Sequence, residues 1–122
     1  MRIVVDIGNN RVKWARATGG RLSSTGSAVH VADPESAMQR LSESFSQSVT
    51  RVVATNVAGS KIKSLFEDTV ERHWGLRPEM IDTASMQLGV TCGYDEPRRL
   101  GADRWVAMLA AWNLCNGAIC VI

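Results

Sequence analysis

The sequence predicts an α/β domain built on a mixed sheet, and three observations predict it. Residues Ile3 to Trp14 alternate apolar and polar about a break at Asn9-Asn10, which is the pattern of a hairpin with one buried face. Thr18-Gly19-Gly20 is a turn signal, so Arg21 to His30 can return as a third strand. From Asp33 onward, helical and strand patterns alternate to the end of the chain. Three meandering strands followed by alternating helices and strands require a sheet with both antiparallel and parallel neighbours.

Each element has its own local reason. In the hairpin, Asn9-Asn10 is expected to form a two-residue primed turn, because Asn tolerates positive φ. That register sets Asp6 across from Lys13 and Gly8 across from Arg11. Val5, Ile7, Val12 and Trp14 then share one face, and Asp6, Gly8, Arg11 and Lys13 the other. The third strand is rich in Ser and Thr, which predicts a sheet edge, with His30 as a surface strand residue. Asp33-Pro34-Glu35 opens a helix, with Asp33 as N-cap and Pro34 at its first position. Ala37, Met38, Leu41 and Phe45 form the apolar stripe of that helix, so Met38 is a core residue.

Arg51 to Val57 reads as the next strand, and Ala58-Gly59-Ser60 as a turn into a second helix that Ser60 can cap. Ile62, Leu65, Phe66, Val70 and Trp74 fall at helical spacing. Gly75 ends the helix, and His73 in its last turn suits the helix dipole without any catalytic role. Pro78 to Ala84 can form a short strand, and 85–97 reads as loop. A final helix runs from about Arg98 or Ala102 to Asn116, followed by a terminal strand, Gly117 to Ile122. The body of that helix, Trp105 to Trp112, is almost entirely apolar, which predicts burial on most sides. Asn113, Asn116 and Gly117 interrupt the long apolar stretch from Trp105 to Ile122, so no transmembrane span is expected.

Composition narrows the function classes. At 122 residues the chain can bury a core, and a net charge of +2 without a basic, aromatic-interleaved patch argues against nucleic acid as a partner. Asp6 interrupts the only early apolar run, so no signal peptide is expected. Three widely spaced cysteines, Cys92, Cys115 and Cys120, form no CxxC pair and fit reduced thiols in a cytoplasmic protein. Neither a Walker-type loop nor GxGxxG is present. A central strand ending in a free carboxylate would bury charge, so the apolar finish predicts either an edge strand or an N-terminal piece of a longer chain. The second is the expectation adopted.

Two stretches concentrate chemistry. The polar face of the hairpin sets a carboxylate, an ammonium and a glycine beside a tight turn. Asp6 could orient a cation, Lys13 could pair with phosphate oxygen, and Gly8 could let the backbone approach a ligand. The same residues also fit a plain solvent-facing cross-strand ion pair. The second stretch is Gly93 to Trp105, where Asp103 and Arg104 sit near the start of an apolar helix. Asp103 could accept a proton from an attacking hydroxyl while Arg104 holds an anionic substrate group. They equally fit an acidic residue serving the helix dipole beside a surface Arg. Tyr94, the only tyrosine, can line a pocket or cover the loop.

Taken together, the two stretches resemble a known family. Asp6-Ile7-Gly8-Asn9-Asn10-Arg11-Val12-Lys13 resembles the first phosphate motif of type III pantothenate kinases, DxGNTxxK. Gly93-Tyr94-x-x-Pro97-x-x-Leu100-Gly101-Ala102-Asp103-Arg104-Trp105 resembles that family's GYxxPxxLGADRW segment. The resemblance implies a ribonuclease H-like fold of the actin-like ATPase and kinase superfamily. It implies ATP-dependent phosphorylation of pantothenate to 4'-phosphopantothenate, the first step of coenzyme A synthesis. In that reading residues Asp6 to Lys13 bind ATP phosphates, with Asp6 serving Mg²⁺ through them. Asp103 is the general base, and Tyr94, Gly101, Ala102, Asp103 and Arg104 bind pantothenate. The family also implies a homodimer and a monovalent cation, potassium or ammonium, whose ligand is expected beyond Ile122.

Two departures accompany the resemblance. Asn10 stands where the family usually has Thr or Ser, so an amide replaces a hydroxyl. The family's second, DAGTA-like phosphate motif would begin after Ile122, so residues 1–122 are expected to be the N-terminal ribonuclease H-like lobe, inactive alone. A different class is kept beside the enzyme, because the family includes proteins described as Bvg accessory factors. That alternative is a non-catalytic transcriptional regulator.

Overall fold

The computed structural model describes residues 1–45, 48–115 and 117–121 and divides into two units, Met1–Met80 and Ile81–Ile122. In the first, β1 (Arg2–Ile7) pairs antiparallel with β2 (Arg11–Thr18), and β2 with β3 (Arg21–Val29). On the other side β1 pairs in parallel with β4 (Arg51–Asn56), which pairs with the two-residue β5 (Glu79–Met80). The resulting order is β3-β2-β1-β4-β5, with the Ser- and Thr-rich β3 at the edge as its composition predicts. The β1/β2 register sets Asp6 opposite Lys13 and Ile7 opposite Val12, as the alternation requires.

One face of this sheet is apolar and is covered by α1 (Pro34–Glu43) and α2 (Ser60–Trp74). Ile3, Val5, Ile7, Val12 and Trp14 are buried against Met38, Leu41, Phe45, Ile62, Phe66 and Val70. Asp33 caps α1 by accepting the Ser36 N–H at 3.0 Å, and Gly75 ends α2 in the left-handed region at φ 65°. The start of α2 differs from expectation. Gly59, at φ 98°, occupies the N-cap and Ser60 is already helical, so no side chain caps the helix. Asn56 secures this bend instead: its amide donates to the Gly59 carbonyl at 2.9 Å, and its Oδ1 accepts the Ala58 N–H at 3.0 Å.

Trp14 lies opposite Gly26, and a Cβ at Gly26 would stand 2.5 Å from the indole nitrogen. The missing side chain gives the indole its place on the sheet, beside an irregularity in the β2/β3 register between Trp14 and Arg16.

The second unit contains a small hairpin, β6 (Met86–Gln87) and β7 (Val90–Thr91), within the stretch expected to be loop. Leu88 and Gly89 turn it, both at positive φ. A 3-10 turn, Pro97–Arg99, precedes α3 (Ala102–Cys115). Trp105, Leu109, Leu100 and Cys92 form its core.

Three expectations are corrected here. The Pro78 to Ala84 strand is reduced to Glu79–Met80. Helix α3 is not enclosed: it buries only Ala102, Trp105 and Leu109, while Trp112 is partly and Leu114 largely exposed. Its burial follows a stripe at i, i+3 and i+7 rather than its composition. Residues 117–121 form no strand, and Ile119 and Val121 are exposed, because a strand needs a neighbour to complete its ladder. Asn116 and Ile122, the predicted ends of that helix and strand, lie outside the described residues. No helix among the described residues is long and apolar enough to cross a membrane.

Candidate functional site

The first candidate site stands where β1 and β4 end side by side. In open α/β sheets this carboxyl edge of parallel strands is where ligands bind. Asp6 is lateral to Thr55 in the parallel register, and the Thr55 hydroxyl donates to Asp6 Oδ1 at 2.9 Å. Thr55 is buried, so the carboxylate is held from the β4 side. Among the described residues, Asp6 and Lys13 face each other without forming an ion pair. The simple cross-strand pair therefore does not account for these charges. Lys13 is exposed on the same side, able to meet an anion.

The turn itself corrects the primed-turn expectation. Neither Asn9 nor Asn10 has positive φ, and both are bends rather than a closed hydrogen-bonded turn. The Gly8 N–H donates to the Arg11 carbonyl at 2.9 Å. The reciprocal bond from the Arg11 N–H to the Gly8 carbonyl is absent among the described residues. An open turn of this kind leaves main-chain donors for a ligand, which a primed turn would consume. Added at Gly8, a Cβ would meet only the Arg11 carbonyl, at 3.4 Å. The fold leaves that side of Gly8 open, as close approach by a ligand requires.

His30 also departs from expectation. It is 6% exposed rather than on the surface, with Nε2 2.6 Å from the Gly8 carbonyl oxygen. Its own N–H donates to the Asn10 carbonyl at 2.9 Å, which continues the β2/β3 ladder past Val29 and carries the ring inward. Sequence reasoning missed both His30 and Thr55. The signal for Thr55 was the in-register parallel pairing of Asp6 with a polar residue in an otherwise apolar strand. For His30 it was the continuation of the third strand to the level of the turn.

The second candidate site is the start of α3. Leu100, Ala102 and Trp105 are buried and pin this segment, and the Trp105 indole donates to Gln87 Oε1 at 3.0 Å. The Thr83 hydroxyl fixes the Leu100 carbonyl at 2.6 Å, and the Trp105 N–H reaches the Gly101 carbonyl at 3.0 Å. Asp103 and Arg104 fall off the buried stripe, so both side chains lie outside the core, Asp103 partly buried and Arg104 exposed. One oxygen of Asp103 accepts the Arg104 N–H at 2.8 Å, which orients the carboxylate in the first turn. Tyr94 is half-exposed in the loop before it. A separate cavity of about 440 Å³ between α1 and α2, lined among others by Glu35, Gln39, Arg72 and His73, contains none of the sequence-predicted site residues.

The donor chemistry can be tested for a divalent cation. Among the described residues no cluster of three or more His, Cys, Asp or Glu could hold a metal on its own. Magnesium is commonly held by one or two carboxylates together with substrate phosphates and water. Asp6, a single oriented carboxylate beside open main-chain donors, fits that mode and no fully protein-built site.

A mixed sheet ordered β3-β2-β1-β4-β5, carrying an acidic residue at the end of its central strand, places the chain in the ribonuclease H-like class of α/β proteins. The sequence profile described as type III pantothenate kinase matches residues 2–122, and the chain belongs to that family. Relatives named type III pantothenate kinase occur in Nitrosococcus oceani, at 35% identity over all of this chain and 48% of the relative, and in Halorhodospira halophila, at 31% over all of this chain and 50% of the relative. A third, from Polaromonas, is 38% identical over 89% of this chain and 43% of its own length. The chain spans about half the length of the curated relatives it matches. Among solved structures, a Ppx/GppA family member from Aquifex aeolicus is similar at 23% identity and a TM-score of 0.40, covering 66% of this chain and 34% of that one. That likeness is too loose to carry an argument.

Proposed function

We propose that this chain supplies the first phosphate-binding edge and the pantothenate-binding segment of a kinase that moves the γ-phosphoryl of ATP to the hydroxyl of pantothenate. The observation that carries the reading is the Asp6 carboxylate, oriented by Thr55 at the end of β1 beside an open turn, in a chain whose family is defined by phosphoryl transfer to pantothenate. Phosphoryl transfer depends on positioning and on neutralising phosphate charge more than on covalent chemistry. In this reading the 8–11 turn presents main-chain donors to the phosphates, Lys13 balances their charge, and the Asn10 amide donates where relatives use a hydroxyl. Mg²⁺, held by Asp6 through the phosphates, would spread the charge of the transferring group.

Asp103 is the general base. One of its oxygens is occupied by the Arg104 N–H, which leaves the other to take the proton of the pantothenate hydroxyl as it bonds to phosphorus. Arg104 pairs with the pantothenate carboxylate, and Tyr94 and Gly101-Ala102 shape its pocket. The reading includes the family's monovalent cation, potassium or ammonium, a homodimer, and a cytoplasmic setting that suits the three free cysteines. It places catalysis in a protein of full family length, with residues 1–122 as its first lobe.

The test is pantothenate-dependent ATP consumption by the full-length protein, wild type against Asp103→Asn. Loss of a positioned general base lowers kcat by about 10²- to 10⁴-fold. KM for pantothenate should change far less, since the isosteric amide preserves shape. A variant with wild-type turnover removes Asp103 as the base, and a wild-type protein that ignores pantothenate removes the kinase reading.

A further inference from the structure

We propose that His30 is a positioning residue that keeps the 8–11 turn open for phosphate. The inference rests on the phosphate reading of that turn and adds a residue to it. Its basis is a competition for one carbonyl. In a closed two-residue hairpin the Gly8 carbonyl would accept the Arg11 N–H, because these residues stand opposite each other at the end of the ladder. Here the imidazole takes that carbonyl at 2.6 Å. The main chain of His30 takes the next carbonyl but one, that of Asn10, at 2.9 Å.

Two consequences follow from peptide geometry. No cis peptide is present among the described residues, so each N–H of the turn points away from the carbonyl of the same peptide unit. With the Gly8 and Asn10 carbonyls both turned to His30, the Asn9 and Arg11 N–H groups point the other way. A single buried residue thus sorts the turn into an acceptor side and a donor side, and the donor side suits an anion. A carbonyl oxygen can only accept, so Nε2 carries the hydrogen in this bond. An apolar residue at position 30 would leave the Gly8 carbonyl without this donor, and the Arg11 N–H would reclaim it. The turn would close, and one phosphate donor would be spent inside the protein.

The proposal is tested on the protein of full family length by nuclear magnetic resonance and by binding of Mg-ATP. In the wild type, the imidazole nitrogen spectrum should show the hydrogen on Nε2, coupled through the hydrogen bond to the Gly8 carbonyl carbon. The Arg11 amide should exchange quickly with solvent. In His30→Leu the Arg11 amide should become protected and Mg-ATP affinity should fall by about tenfold, the equivalent of one hydrogen bond. His30→Gln, which can still donate through its amide, should restore affinity to within about threefold of wild type. A ring protonated only at Nδ1 in the wild type overturns the proposal even if neither variant folds. So does a folded His30→Leu that binds Mg-ATP as the wild type does. A wild-type protein of full family length that shows no Mg-ATP binding at all overturns the phosphate reading itself, and this inference with it.

Discussion

The sheet of the Met1–Met80 unit and helix α3 of the Ile81–Ile122 unit treat their apolar residues differently. Every inward position on β1 is buried, Ile3 and Ile7 completely, and α1 and α2 close over them. Helix α3 has a richer apolar composition, yet only Ala102, Trp105 and Leu109 are buried, and Leu114 is 83% exposed. The difference teaches that alternation and stripe locate burial, while bulk composition states only how much apolar area a segment carries. It also separates two kinds of site. The Asp6 edge is held by a large core behind it, and Asp103 by a few buried neighbours at the head of a helix.

The sharpest test of that contrast is paired truncation. Phe66 is fully buried in the larger core, and Phe66→Ala should cost about 3–5 kcal/mol of stability. Leu109, in the small cluster with Cys92, Leu100 and Trp105, should cost about 2 kcal/mol on truncation to Ala, because a thinly walled site collapses into the space. Urea denaturation with residue-resolved amide exchange would separate the two. Equal losses would break the comparison.

How much of each unit was legible in the sequence follows the same division. Asp33, Gly75, the Asp6–Lys13 register and the edge position of β3 could all be read, because each depends on neighbours within a few residues or on strict alternation. Thr55 and His30 could not, since their partners stand 49 and 22 positions away and only the assembled sheet brings them together. The turn type was misread for a related reason. Asn-Asn favours positive φ locally, but the imidazole competes for the carbonyl that would close that turn. In the second unit, β6 and β7 are two residues each, too short for any period to register. The proposed roles of Asp103, Arg104 and Tyr94 come from the family motif, and what the structure adds is the buried frame that turns Asp103 and Arg104 outward.

A smaller effect probes how tightly the first core is built. At Gly26 a side chain would run into the Trp14 ring at 2.5–2.8 Å, and β2 and β3 cannot separate without losing their ladder. Gly26→Val should therefore cost about 1–3 kcal/mol. Trp14→Leu in the same chain should return part of that loss, read as a partial recovery of the denaturation midpoint. Strict additivity of the two changes would mean that the indole and the glycine do not share one space.

Thr55→Val asks whether the site edge depends on the core or on one hydroxyl. Valine keeps the shape and burial of Thr55, so stability should change by about 1 kcal/mol or less. The Asp6 carboxylate loses its lateral donor, and Mg-ATP affinity should fall by roughly three- to tenfold. A binding constant that does not move would assign the orientation of Asp6 to the main chain alone.

The smallest effect expected lies at the margin of the first unit, where Arg51 at the start of β4 grips Glu79 of β5. The contact is two-pronged, Nε to Oε1 at 2.6 Å and Nη2 to Oε2 at 2.8 Å, between side chains about half exposed to solvent. The hydrogen bond from Arg51 holds the Glu79 carboxyl below the ordinary glutamate range, and the same bond raises the guanidinium further. A lowered folded pKa gives stability that is present above the unfolded value and lost as pH falls through the folded one. The arginine's contribution is present at every pH below its own unfolded value, so acid titrates only the glutamate. Glu79→Gln should thus melt slightly below the wild type at neutral pH and low salt, and the gap should close in acid and in high salt. Melting curves at pH 7 and pH 3, each at two salt concentrations, decide it. A gap that survives acid would mean that the amide disturbs the pairing of β4 with β5, and that the short strand, rather than the charge, secures this margin.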